Sequence, residues 1–265
     1  MADPTSAGLT GYSLPLSPTG FSSMIPPPPW HFSGDALWVE CRVDAAAAAA
    51  FLPDGLDLGP DPGRAGVGFF EWQWCTDGGA ELRDPVRAQF REFLLALDCR
   101  LGDRPVARVP YAWVDQAVPL VRGLVQGMPK LPGQIWLTRS YSVGRAAPRR
   151  AAGGVFSAVA AADGRRVASA TVTLSGPADG PPALAAAPLV NTRHLPAWHP
   201  DEQPLCELVR SEISGAEFSP VWTGPAELDW HDIGDPDLAR LAPIEVGPGF
   251  VFSYAETLAP GTRAR

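Results

Sequence analysis

The chain has 265 residues, which suits one or two domains. Hydrophobic residues make up 46% and charged residues 19%, so a sizeable core is available and wholesale disorder is excluded. A net charge of -8 argues against a nucleic-acid or anionic-membrane partner.

The first stretch, MADPTSAGLTGYSLPLSP, has neither a basic n-region nor an apolar h-region, so no signal peptide is expected. No apolar run approaches the roughly 18 residues of a transmembrane helix, and a cytoplasmic location is the default. Residues 1–29 are rich in Pro, Ser and Gly and close on four prolines, Pro26 to Pro29. They predict an arm or surface strap rather than a core element. Residues 30–265 read as a single domain. A strand is expected at 36–43. Asp44 can then cap a short helix over 45–52 that Pro53 stops. Residues 66–74 (GVGFFEWQW) are β-like with aromatics on both faces. The run 89–101 is ambiguous by period, but the turn GDRP and a second β-like run at 106–114 make it one arm of a hairpin. Asp115 is placed to cap a helix over 116–125, with Pro119 in its first turn and Gly127 and Pro129 ending it.

Further β-like runs occupy 134–142, 154–162 and 165–174, the last two joined by the hairpin signal Asp163-Gly164. After a loop around 178–188 come strands at 204–213, 221–229 and 246–258. There is no fixed-period repeat and no glycine-rich phosphate loop. The pattern predicts a β-rich α+β domain, a barrel or packed sheets with a few inserted helices. Cys41, Cys75, Cys99 and Cys206 are widely spaced without a CxxC pair, so they read as free thiols rather than a metal site. His194 and His199, five apart in a Pro-containing loop, have no acidic or thiol companion at ligand spacing, and His31 and His231 are isolated. No metal is expected. The nine tryptophans read as core and pocket wall.

Lysine and arginine together number 21, yet Lys130 is the only lysine. The bias favours Arg wherever a positive charge suffices. Arg stays protonated and is no nucleophile, whereas Lys can lose its proton and attack a carbonyl to form an imine. Lys130 is therefore either a leftover surface residue or one retained for amine chemistry. It sits in QGMPKLPG, where two prolines and two glycines fix a non-helical loop and Met128, Leu131 and Ile135 are apolar neighbours. Desolvation there would favour the free amine.

That loop at 126–133, PYAWVD at 110–115, CEL at 206–208, VWTGP at 221–225 and the early PWHF to Leu52-Pro53 stretch together resemble the acetoacetate decarboxylase superfamily. The likeness runs over about residues 26–258. It implies a double β-barrel with a few inserted helices, a Schiff-base lysine at Lys130 and a homo-oligomer, dimer or tetramer. Glu71 and Glu92 fall where the family carries two active-site carboxylates and would move protons. Two departures stand out. Members that decarboxylate acetoacetate carry a second lysine directly before the first, and here that position is Pro129. They also carry an arginine near the first barrel strand, where this chain has Ser33-Gly34-Asp35 and where an aspartate would repel a β-keto acid. The chain is closer to the pyruvate aldolase-dehydratase branch, which resembles it in a Gln four residues before the lysine, Gln126, and a Tyr in the last strand, Tyr254. Both would orient carboxylate and hydroxyl groups, with Met128 and Leu131 completing the substrate pocket.

The expected function is a Schiff-base lyase that condenses a small 2-oxo acid, pyruvate, with an aldehyde, followed by dehydration and needing no metal or organic cofactor. A β-keto acid decarboxylase using the same imine is the nearest alternative. A non-covalent binding protein or cyclase of secondary metabolism is a second. A structural oligomer whose pocket is filled by Trp72, Trp74 or Trp113 is a third.

Overall fold

The computed structural model describes residues 8–264. In chain order its strands are β1 (Trp30–Arg42), β2 (Leu56–Leu58), β3 (Arg64–Cys75), β4 (Gln89–Leu101), β5 (Arg104–Val114), β6 (Lys130–Pro132), β7 (Gln134–Leu137), β8 (Val155–Ala162), β9 (Arg165–Thr173), β10 (Gly176–Pro177), β11 (Val190–Leu195), β12 (Leu205–Phe218), β13 (Trp222–Trp230) and β14 (Glu245–Arg263). The helices are α1 (Ala45–Ala50), α2 (Pro85–Ala88), α3 (Ala117–Gln126) and α4 (Pro236–Ala239).

Strand alternation decides the architecture. Successive side chains point to opposite faces, and both faces of β1, β3 and β4 are apolar. Leu37, Val39, Val67, Phe69, Phe93 and Leu95 enter one core with Ile135, Phe156 and Val172 from β7, β8 and β9. Trp38, Phe70, Trp72, Phe90, Leu94 and Ala96 enter a second core with Ala112, Phe252 and Leu184. A sheet buried on both faces needs a cover on each. The path β6-β5-β4-β3-β1-β14-β13-β9-β8-β7 carries β7 to β9 over the first face. On the second face, β12 pairs with β14 and β11 with β12. The chain before β11 then meets β5: the Ala107 N–H donates to the Pro188 carbonyl (2.8 Å) and the Val109 N–H to Asn191 Oδ1 (3.0 Å). The result is a pair of barrels with a common wall.

The local signals explain most elements. The Asp44 carboxylate caps α1, accepting from the Ala47 N–H at 2.8 Å. Asp163 and Gly164 turn β8 into β9 with φ of 50° and 74°, the positive pair that a tight two-residue hairpin requires. Gly127, at φ 76°, ends α3. The run 89–101 is indeed one strand, β4. Three expectations need correction. Asp115 does not cap α3: Gln116 occupies that position without a side-chain bond, while Asp115 accepts from the Arg91 N–H (2.7 Å) and guanidinium (3.3 Å). A charged partner and a strand N–H together outbid the helix end. The strand after Lys130 is short, since 138–142 leave the sheet. The strap also contributes to the core: Ile25 is 0% exposed and packs in the second cluster beside Trp30.

Ile25→Ala should therefore lower stability by about 2–4 kcal/mol in urea unfolding. Phe21→Ala, at a side chain 87% exposed on the same strap, should change it by no more than about 0.5 kcal/mol.

Candidate active site

The pleat aims Lys130 into the second barrel. After α3 ends, the Met128 N–H turns back to the Gly123 carbonyl (2.9 Å), and Lys130 opens β6 in parallel register with Ala112 of β5. Gly123 makes this possible: a Cβ there would stand 2.9 Å from Lys130 Cγ. Lys130 Nζ lies 3.0 Å from Glu92 Oε1, with only 6% and 8% of the two side chains exposed. Glu92 Oε2 accepts from the Trp72 indole N–H at 3.2 Å. Nζ also stands 5.5 Å from the centre of the Phe90 ring. The ammonium thus has a carboxylate partner, which the apolar neighbours read from the sequence did not include.

Four further groups converge on the same cavity of about 370 Å³. The Tyr254 hydroxyl donates to Glu256 Oε2 at 2.5 Å, and its ring stacks on Phe218 at 4.6 Å. Burial raises the Glu256 carboxyl above the usual range; the Tyr254 hydrogen bond and the Lys130 charge oppose the rise and the Glu92 charge adds to it. Burial and the neighbouring Glu256 likewise push the Tyr254 phenol well up. Arg122 of α3 is 1% exposed and reaches the cavity through an aromatic box, 4.2 Å from the ring centre of Trp74, 4.9 Å from Phe32 and 5.1 Å from Trp30. The ring faces replace part of its hydration, yet none of its three guanidinium nitrogens has a hydrogen-bond partner among the described residues. Burial pushes its pKa down, and Glu92 pushes it back up. Gln126, one turn further on the same helical face, likewise has its buried Nε2 without a partner. Met128 completes this wall, 2.9 Å from Asn191 Nδ2. Two cations and two carboxyl groups therefore face one cavity with unused donors.

Of the residues expected from the sequence, Lys130, Glu92, Gln126, Met128 and Tyr254 line this cavity. Glu71 and Leu131 do not. Glu71 lies between Phe70 and Trp72 in β3, so the pleat turns it to the opposite face, where Arg91 and Arg139 hold it. Leu131 follows Lys130 in β6 and, by the same alternation, points out, 42% exposed. Asp35 also turns away: it pairs with Arg150 (2.6 Å) and accepts from the Ser253 hydroxyl (2.6 Å). The repulsion of a substrate carboxylate expected from it does not operate. The tryptophans do not plug the space. Trp72 forms wall, Trp74 lies against Arg122 and Trp113 belongs to the other core. Sequence reasoning missed Arg122 and Glu256. Their signals were present: Arg122 precedes Gln126 by four on a helix, and Glu256 follows Tyr254 by two on a strand.

Residues 13–264 match the family model for acetoacetate decarboxylase (ADC). The chain belongs to the acetoacetate decarboxylase family. Among solved structures, the enduracididine biosynthesis enzyme MppR, complexed with the condensation product of pyruvate and imidazole 4-carboxaldehyde, is 54% identical with a TM-score of 0.94 over 98% of each chain. The same enzyme complexed with pyruvate is 53% identical, with a TM-score of 0.93 over 97% of this chain and 98% of that one. An acetoacetate decarboxylase-like enzyme from Sphingomonas wittichii RW1 is 27% identical, with a TM-score of 0.88 over 97% of this chain and 100% of that one. No match is found among curated proteins. Within the family's strand-rich fold, no helix among the described residues is long and apolar enough to cross a membrane.

Two carboxylates that look alike in sequence should behave differently. Glu92→Gln leaves a buried ammonium without its partner and should cost about 3 kcal/mol in urea unfolding. Glu71→Gln loosens a partly exposed pair and should cost about 1 kcal/mol or less.

Proposed function

We propose that this family member condenses pyruvate with an aldehyde through an imine on Lys130 and then removes water. The observation that carries the reading is the Lys130–Glu92 pair, 3.0 Å apart inside a cavity that also holds an unpaired buried guanidinium. Lys130 passes its proton to Glu92, its nearest acceptor, and the free amine attacks the ketone carbon of the 2-oxo acid. Glu92 returns that proton to the carbinolamine hydroxyl, which leaves as water, and the protonated imine draws electrons from the methyl group. The Arg122 guanidinium and the Gln126 amide hold the carboxylate, which satisfies donors that otherwise stay orphaned. Glu92 accepts the methyl proton, giving an enamine whose carbon attacks the aldehyde. Glu92 returns that proton to the new alkoxide and then takes a second proton from the same carbon, while Glu256, whose burial favours the protonated form and which Tyr254 aligns, protonates the departing hydroxyl. In hydrolysis of the imine, Glu256 takes a proton from the incoming water and Glu92 gives one to the departing amine, which frees an unsaturated 2-oxo acid and restores Lys130. Pyruvate and aldehyde enter; the unsaturated acid and one water leave. The imine is the electron sink, so the scheme calls on neither a metal nor an organic cofactor.

The product-bound relative at 54% identity supports this chemistry. Pro129, standing where members that decarboxylate acetoacetate carry a second lysine, argues against decarboxylation as the main activity.

Borohydride reduction in the presence of pyruvate should add the pyruvate-derived group to Lys130, and Lys130→Arg should abolish both the adduct and turnover. An unmodified Lys130, or full turnover by Lys130→Arg, would refute the mechanism. Glu256→Gln should still consume aldehyde while formation of the conjugated product, followed by absorbance, falls about 10²-fold. Carbon dioxide release from acetoacetate exceeding pyruvate-dependent aldehyde consumption would favour the decarboxylase instead.

A further inference from the structure

The catalytic cavity is one side-chain layer away from a second cavity. Gln126, Arg210, Ser211 and Leu258 line both, and the second space measures about 360 Å³. Its other walls include three separate parts of the chain: the strap, with Tyr12 and Pro28; the β11–β12 hairpin, with Arg193 and Glu207; and the end of β14, with Arg263. The charges there run against the rest of the protein. Arg193 (3.0 Å) and Arg263 (2.6 Å) share the single carboxylate of Glu207. Arg210 pairs with Glu212 at 2.7 Å, and the Thr262 hydroxyl donates to the same oxygen at 2.6 Å. Three guanidinium groups thus meet two carboxylates in a chain whose net charge is -8. Two donors on this side are buried without a partner, Arg193 Nε and Gln126 Nε2.

We propose that this groove is a carboxylate-collecting antechamber of the catalytic site. A small 2-oxo acid docks on Arg193 and Arg263, passes the wall when Arg210 turns off Glu212, and is handed to Arg122. The reading rests on the 2-oxo acid chemistry proposed for Lys130. Physical reasons favour it at each stage. A concave, low-dielectric surface with surplus positive charge concentrates anions and raises their arrival rate. Guanidinium groups bind carboxylates in two-point fashion. Arg210 and Glu212 are each about one third exposed, and partly exposed pairs are worth about 1 kcal/mol or less, so the gate opens readily. Gln126 has one face on each space, so a carboxylate leaving the groove meets a free amide before it meets Arg122.

The test follows the rate of borohydride-trapped adduct at Lys130 with pyruvate and with its uncharged methyl ester, at low and high ionic strength. Arg263→Gln and Arg193→Gln should each slow trapping of pyruvate about 3- to 10-fold at low salt and flatten its salt dependence. Neither should change trapping of methyl pyruvate. Arg100→Gln, which removes the same charge from an exposed position near Asp57, should leave both rates unchanged. Arg263 is well exposed, so its variant remains informative even if the Arg193 variant folds poorly. Equal losses with the ester, no loss with pyruvate, or the same loss in Arg100→Gln would overturn the antechamber while the wild-type adduct stands. No adduct in the wild type would instead remove the imine chemistry, and the route with it.

Discussion

The buried cavity depends on one ion pair set between two strands that are not neighbours in the sheet. Glu92 belongs to β4 and Lys130 to β6, and β5 lies between them, pairing with both. The register that places Val114 opposite Glu92 also places Ala112 opposite Lys130. Ala112 and Val114 both face the second core, the same side as the two charged groups. Placing both charges out of water is costly alone, and their mutual attraction offsets much of that cost. The same proximity gives the amine a nearby base. The interaction that makes the buried charges tolerable therefore also provides the proton acceptor the proposed chemistry requires. Arg122 and Glu256 are held differently, the cation in an aromatic box and the carboxyl by a phenol.

Much of this was legible from the sequence, and the limits have a physical origin. Strand runs bounded by turn residues were readable, and β4 was recovered in full because the hairpin turn after it resolved an ambiguous period. Lys130 stood out by composition alone. Parity was harder. Glu71 and Glu92 both sit among aromatic residues, but a strand buried on two faces has no polar side to fix which residue points where. The face was decided by pairing with β1 and β4, which is long-range information. Leu131 failed for the same reason: adjacency to Lys130 in a strand means opposite direction, not shared lining. Asp115 was misread because helix-capping rules treat the helix alone, and Arg91 competes from another element.

Arg122 and Glu256 illustrate a different limit. A helical arginine and a strand glutamate normally face solvent, and nothing near Arg122 in the chain announces an aromatic box. Its rings come from β1, β3 and β4, assembled only when the sheet curls. The four- and two-residue offsets to Gln126 and Tyr254 were visible, but they carry meaning only once those partners are placed on an inward face. The aspartate at position 35 carried the converse error, since its sign was right and its direction wrong.

The common wall of the two barrels has an evolutionary corollary. Along β3 and β4, odd and even positions belong to separate compartments, one an apolar filler and the other the vessel around Lys130 and Glu92. Substitutions at alternate positions can remodel the vessel while the filler keeps the scaffold standing. An inserted or deleted residue would do the opposite, exchanging the two sets at a stroke and emptying both compartments of their proper contents. Lineages built on this plan are thus expected to diversify by replacement within these strands and to confine changes of length to the loops.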